Sequence, residues 1–471
     1  MGRRLLPIGI GAALALAALS LLLPYGPVYD PWGWLVWGRE LARLDLATAA
    51  GPSWKPLPPL ICAPLSLLGE AAPKAWLLLA RSGWLAAPLL AGWLAARLAG
   101  PLGRPWRLAA ATLAAASVAL TGDAFTPPLR QLSGGLSEPL LVALVLGAVA
   151  LALEHRPRGA LWLGAAASLL RPECWPFLAV WAWREARREP SLRPHALTAA
   201  LLIPLAWFLP DLLAAGTPLE GSATARQGGF ELDEVRQVAG RALAAPLAAA
   251  WLGVGLLLLE WRRRPAAARE EDRALRVLLL GAAAWIALVA AMAVAGFAGL
   301  PRFLAPATAA VSVAGAVGVA RAGAAALAPG ASRPALAVLA ATALLGAAAG
   351  FAARAAQVPG DLDTIRAQTR SQQDLATLAG RLGPDRLLSC HGRVRVTQLL
   401  AQTALAWELD RPIESIRVIR RPRYGVVLGT RPLPRGTKLA QAGRWRATRL
   451  PCPNAQFVSA RAIAGVSGTS R

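Results

Sequence analysis

Apolar runs close to 20 residues recur from one end of this chain to the other, separated by short segments rich in arginine. A helix of that length crosses a hydrocarbon core of about 30 Å. Spans are read at about residues 5–24, 74–96, 106–122, 137–153, 196–214, 244–261, 275–297, 303–321 and 334–353. Only 16% of the 471 residues are charged against 56% hydrophobic, too little charge for a soluble domain of this size. The formal charge of +24 suggests nucleic acid at first sight, but the basic residues sit between apolar runs. Membrane orientation explains that placement more simply, so no nucleic-acid partner is expected. Lys55, Lys74 and Lys438 are the only lysines, and with so much Ala, Gly and Pro the arginines reflect GC-rich codons rather than a recognition surface.

The charges sort into two sets. Arg3 and Arg4, Arg97 to Arg107, Arg156 and Arg158, Arg184 to Arg193, Arg262 to Arg269, and Arg321 with Arg333 form one consistent cytoplasmic set. The opposite loops carry the acids: Asp30, Glu40 and Asp45 with Lys55; Asp123 and Glu138; Glu220 to Glu234. The N-terminus is therefore expected in the cytoplasm of a multi-pass plasma-membrane protein. The first span follows Met-Gly-Arg-Arg without a convincing A-x-A site before Tyr25, which favours an uncleaved helix over a signal peptide.

Residues 159–184 have basic loops at both ends, so the chain must enter and return on one side. Each half is about 12 residues, roughly 18 Å of helix, too short to cross. A hairpin of two short helices is expected, with Arg171, Pro172 and Glu173 at its tip. Charges at that depth are tolerated where they face protein or a water-filled cavity; an Arg171–Glu173 pair that merely staples the tip is the plain alternative. The fold class is thus an all-α polytopic membrane bundle of about nine spans plus a re-entrant pair, over residues 1–354. Residues 355–471 change to mixed composition, with 19 Lys+Arg against 7 Asp+Glu, and read as a small extracytoplasmic α/β domain. Its only cysteines, Cys390 and Cys452, would pair in an oxidising compartment. Its basic face suits anionic lipid or an acidic cell-wall polymer, or is simply solvated.

Single residues stand out against that frame. In the first outer loop, 25–60, Asp30 precedes Trp34, Trp37, Leu41 and Leu44 at helical spacing, which predicts an interfacial helix over 31–45. Asp30 is either a base at the mouth of the bundle or an ordinary helix N-terminal acid. Lys55, in Trp-Lys-Pro-Leu-Pro-Pro-Leu, is either a phosphate-binding point charge or a snorkelling lysine. Glu138 starts a span and suits a cap or a site equally. Arg302 also sits at an outer helix start, where a cation opposes the helix dipole and favours an anionic ligand. Trp54, Glu173 and Asp123 are further candidates for contacts with substrate. His155, His195 and His391 lie far apart, and there is no GxxxxGK[ST], CxxC or HExxH, so no metal site is expected.

Tyr29-Asp30, the Lys-Pro-rich stretch Lys55–Leu60, Ser137-Glu138-Pro139, Arg171-Pro172-Glu173 and Pro301-Arg302-Phe303 together resemble the GT-C superfamily of integral-membrane glycosyltransferases. That superfamily includes the protein O-mannosyltransferases and the aminoarabinose transferases acting on lipid A. The resemblance covers about residues 1–353, mostly as order and topology. It implies transfer of a sugar from a polyprenyl-phosphate carrier, usually with inversion, to an extracytoplasmic protein, lipid or cell-wall glycan. Asp30 would be the base, Glu138 would orient hydroxyls, and Lys55, Arg302 and Arg171 would hold the donor phosphate, with no prosthetic group. The first loop has one acid where the protein O-mannosyltransferases have an Asp-Glu pair, and Leu57 interrupts the Lys-Pro-Pro motif. Donor sugar and acceptor therefore stay open. A transporter or flippase of lipid-linked sugars and a non-catalytic envelope scaffold are the other classes; the Ala-, Val-, Leu- and Gly-rich segment 275–353 lacks the polar path a transporter needs.

Overall fold

In the computed structural model the chain is a helical bundle with a small sheet at its C-terminal end. The structure describes residues 5–120, 128–226, 228, 231–263, 269–328, 334–388, 390 and 392–452, with the side chains of 5–10 and 335–336 excepted. The bundle begins with α1 (Leu5–Ser20), the loop helices α2 (Tyr29–Ala42) and α3 (Leu57–Leu65), and then α4 (Ala72–Leu98) and α5 (Arg104–Ala119). Next come α6 (Pro128–Gly134), α7 (Glu138–Leu153), α8 (Pro157–Leu170), α9 (Trp175–Arg188) and α10 (Arg193–Ala215). The last bundle helices are α11 (Glu220–Ala225), α12 (Asp233–Ala244), α13 (Ala248–Arg263), α14 (Glu270–Val294) and α15 (Ala305–Ala326). Proline in the first turn of α4, α5, α7, α8, α9, α10 and α15 marks where each starts, since that position needs no N–H donor.

Among the described residues five helices are long and apolar enough to cross a membrane, or up to seven if each bent pair is one span. The chain is thus a multi-pass membrane protein. Every expected span is a helix, but α1 and α5 have only 16 residues each, and α7 and α13 reach spanning length only with the bent partners α6 and α12. The short hairpin is present as α8 and α9, 14 residues each, joined by a 3₁₀ turn at Pro172–Cys174.

α15 is the axle of the bundle, with every residue from Pro306 to Gly323 buried. It is built of Ala, Gly and Val because its neighbours approach closely: a Cβ on Gly315 would overlap the Ala250 backbone, and one on Gly318 would overlap the Gly253 carbonyl. At the far end of α15, buried Arg321 pairs with Asp272 of α14 and Glu260 of α13 and donates to the Leu98 carbonyl at 3.2 Å. Removing one partner of a buried ion pair costs about 3–5 kcal/mol. Arg321→Met is therefore expected to lower the thermal unfolding midpoint in detergent markedly, and R321M/D272N to recover part of the loss.

α16 (Pro334–Leu387) runs unbroken through residue 354 and carries the chain from the bundle into the C-terminal layer, with a break in helical geometry at Gly383. There β1 (Val394–Val396), α17 (Leu400–Glu408), β2 (Ile416–Val418), β3 (Gly425–Gly429), β4 (Thr437–Ala442) and β5 (Trp445–Leu450) form a sheet in the order β2-β1-β3-β5-β4. β2, β1 and β3 are parallel, and β5 and β4 complete the sheet antiparallel. Cys390 and Cys452 are joined as a disulfide, their Cα atoms 5.9 Å apart.

The C-terminal layer shares one core with the segment of residues 25–60. Val394, Val396, Ile416, Val426 and Leu428 pack with Leu405 of α17, Leu378 of α16, and Trp34 and Trp37 of α2. α2 is the helix expected to lie on the outer leaflet. Instead it is buried from Pro31 to Gly38, sandwiched between α3 and α17. Tryptophans at helical spacing serve either environment, and only the fold decides which covers them.

Candidate functional site

Six charged side chains from five separate segments meet above the short hairpin. Glu138 is their centre. Its carboxyl oxygen Oε1 lies 2.9 Å from the Arg171 guanidinium, 3.6 Å from Arg302 Nε and 4.0 Å from Lys55 Nζ. Arg171 also faces Glu173 at 3.5 Å, and Lys55 faces Asp30 at 3.8 Å. Aromatic faces floor the cations: Phe303 lies under Arg171 at 3.6 Å and under Arg302 at 5.5 Å, and Trp34 lies under Lys55 at 5.2 Å.

Each segment is held by bonds that leave the functional side chain free to point inward. The approach to Asp30 is gripped from α16, where Thr369 donates to the Tyr25 carbonyl, Gln368 to Gly26 and Gln372 to Pro27, at 2.8, 3.2 and 2.6 Å. From α17, Thr403 donates to the Tyr29 carbonyl and the Tyr29 hydroxyl donates to Gln402, both at 2.9 Å. The residue next to Asp30 is thus tied to the C-terminal layer, and burial with the Asp30 charge pushes the Tyr29 hydroxyl well above the ordinary phenol value.

Lys55 is seated by its neighbours. Ser53 donates to the Gly221 carbonyl at 2.8 Å, and the Trp54 indole donates to the Ala206 carbonyl of α10 at 3.1 Å. The ammonium is almost wholly buried. Burial first, then the Arg171 guanidinium, lowers its pKa below the ordinary lysine value, opposed by Glu138 and Asp30. Glu138 opens α7 after a sharp bend of 100° from α6. Gly135 makes that bend at φ +71, and its carbonyl accepts the Trp76 indole N–H at 3.0 Å. Arg171 leaves α8 in extended conformation, and the indoles of Trp175 and Trp207 both donate to the Ser168 carbonyl one turn earlier, at 3.1 and 2.9 Å. Arg302 lies in the 3₁₀ turn before α15, pinned where Trp285 donates to the Phe303 carbonyl at 2.8 Å.

Three cations face three carboxylates here, yet the polar atoms are not all satisfied. Glu138 Oε2, Glu173 Oε2 and Arg302 Nε are buried without a hydrogen-bond partner. The two carboxylate oxygens keep the capacity to accept a further hydrogen bond. A narrow crevice lined by Trp84, Ala87, Val118, Gln131, Pro139 and Ala305 lies beside Glu138. Asp30 has 23% of its side chain exposed against 3% for Glu138 and 2% for Glu173, which makes it the most accessible acid of the three. No group of three or more His, Cys, Asp or Glu side chains among the described residues is arranged to hold a metal ion.

Of the residues singled out from sequence, Asp30, Lys55, Glu138, Arg171, Glu173 and Arg302 come together. Trp54 does not join them as a contact surface: it is buried against Trp37, with its N–H committed to α10. Asp123 lies outside the described residues. Phe303 and Trp34 enter as platforms that sequence reasoning had not assigned; the Arg-Phe adjacency was the one available signal.

No protein-family profile matches the chain, and no curated protein matches it significantly in sequence. Solved structures do match in fold. The crystal structure of ArnT from Cupriavidus metallidurans bound to undecaprenyl phosphate superposes with a TM-score of 0.52 at 12% identity, over 96% of this chain and 100% of that one. The apo form of the same protein gives a TM-score of 0.52 at 14% identity, over 95% and 99%. Over 96% of its length, C-terminal layer included, the chain therefore has an ArnT-like fold.

Proposed function

We propose that the protein is a membrane glycosyltransferase that moves a sugar from a polyprenyl-phosphate carrier to a hydroxyl acceptor, with inversion. The observation that carries this reading is the convergence of Lys55, Arg171 and Arg302 on one oxygen of Glu138, with Asp30 at the open rim. The fold is similar to one whose ArnT representative was crystallised with undecaprenyl phosphate, which supports the choice of carrier.

In the reaction the acceptor hydroxyl gives its proton to Asp30 as its oxygen attacks the anomeric carbon. The bond from that carbon to the phosphate oxygen breaks, and its electron pair leaves with the lipid phosphate. The charge that develops there is met by Lys55, Arg302 and Arg171, held in place before the reaction starts. A phosphate is a good leaving group, so no separate acid is required. Glu138 holds the cations together and offers its unpartnered Oε2 to a sugar hydroxyl. The N-terminus would lie in the cytoplasm and residues 355–471 outside it, as the arginine distribution favours. The acceptor is an extracytoplasmic protein, lipid or glycan.

Lys55 provides a test with a pH signature. Lys55→Ala should raise the donor KM more than it lowers kcat, because a phosphate contact is made in the ground state as well as the transition state. The depressed Lys55 pKa means the ammonium loses its proton at lower pH than a free lysine, so donor affinity should fall as pH rises through that value. Lys55→Arg should carry binding to higher pH. An unchanged donor KM in K55A, or identical pH profiles for wild type and K55R, would remove Lys55 from the phosphate site.

A further inference from the structure

The C-terminal sheet carries a second unsatisfied cation. Arg395, at the centre of β1, is 5% exposed, and its Nε and one terminal nitrogen are buried without a hydrogen-bond partner. Val394 and Val396 on either side face α17, so Arg395 projects from the opposite face of the sheet. Its guanidinium lies 3.8 Å from the centre of the Tyr424 ring. Beside it is Gly425, at φ +84, where a side chain would collide with the guanidinium. The slot is thus built around the arginine, and nothing among the described residues fills its hydrogen-bonding capacity.

The rim is basic. Arg417 stands opposite Arg395 in the parallel register of β1 and the edge strand β2. Arg393, Arg417, Arg420, Arg421 and Arg423 are exposed, and no ion pair of theirs with a carboxylate occurs among the described residues. A planar guanidinium fork, stacked and only partly satisfied, matches the geometry of phosphate or carboxylate.

The geometry points to a binding site for an oxyanion, phosphate or carboxylate, carried by a glycan chain, with Arg395 as its floor and Arg417 with Arg420, Arg421 and Arg423 as its rim. A glycan is favoured because the rim carries several exposed arginines for a chain with repeated negative charges. The face in question is opposite α17, which itself covers α2 on the bundle. The exposed part of the Tyr424 ring gives a sugar ring an apolar surface beside the charge. The site is independent of the chemistry at Glu138.

The test is calorimetric titration of the full-length protein in detergent with a glycerol-phosphate polymer and with polygalacturonate. At least one polymer should bind. Arg395→Gln should weaken that binding at least tenfold, and Arg395→Lys should restore less than half of the loss. Arg431→Gln, on the β3–β4 connection, should change it less than twofold. Tyr424→Ala removes the platform without stranding a polar group, and should weaken binding even if R395Q fails to fold. Equal losses in R431Q and R395Q would mean a diffuse basic surface and would overturn the site. Failure of both polymers to bind, or their displacement by phosphatidylglycerol vesicles at lower phosphate concentration than by free polymer, would overturn the glycan assignment.

Discussion

Asp30→Asn should slow sugar transfer by about 10²–10⁴-fold, the range that a positioned general base supplies, while donor affinity stays within a few-fold of wild type. The substitution keeps the size and the Lys55 contact but removes the proton acceptor. The other two carboxylates are poor substitutes. Glu138 is committed to three cations and Glu173 to Arg171, and both are nearly closed to solvent. Asp30 alone combines contact with the cation cluster and access from outside. Single-turnover transfer from a labelled donor, with donor binding measured separately, checks this. Transfer at the wild-type rate would take the base away from Asp30.

Arg171→Met should both unfold the hairpin tip and abolish transfer. The guanidinium is 10% exposed and touches Glu138 and Glu173, which are 3% and 2% exposed. Stranding Glu173 without its cation costs about 3–5 kcal/mol, enough to read easily as a shift in thermal unfolding. The informative comparison is with R171M/E173Q, which removes the stranded charge. Stability should return in large part in the double variant, and transfer should not. Recovery of both together would reduce Arg171 to a staple at the hairpin tip.

Part of this site was legible because three of its residues broke a local rule. Arg302 sits where the helix dipole disfavours a cation, and Arg171 with Glu173 sits where the chain is too short to have crossed. Those costs had to be offset by something, and the offset is mutual. The hairpin was equally legible, since its length and its flanking arginines allow no other path. The burial of α2 was not. Its tryptophans have the spacing of an interfacial helix, and the partner that covers them, α17, is more than 350 residues away in sequence. The grip of Thr403 and Gln402 on Tyr29 is hidden for the same reason. The seat of Trp54 was hidden in the same way, because its N–H is spent on a carbonyl of α10 that no local pattern announces. Phe303 shows the converse: an aromatic adjacent to Arg302 in sequence serves Arg171 better than its neighbour.

The C-terminal layer bears on how the site works. α16 and α17 hold the backbone from Tyr25 to Tyr29, so the proposed base sits on a segment braced from the far end of the chain. Preorganisation of this kind matters because a base misplaced by an ångström loses much of its effect.

Under the proposed function a polyprenyl-linked sugar is consumed here and not merely bound or moved. The most direct measurement uses the purified protein in liposomes with a panel of polyprenyl-phosphate sugars and cell-envelope acceptors, following the lipid and the sugar label together. Glycosylated acceptor and free polyprenyl phosphate are expected in equal amounts, from at least one donor. Passage of intact donor between leaflets, with no polyprenyl phosphate released, would contradict it.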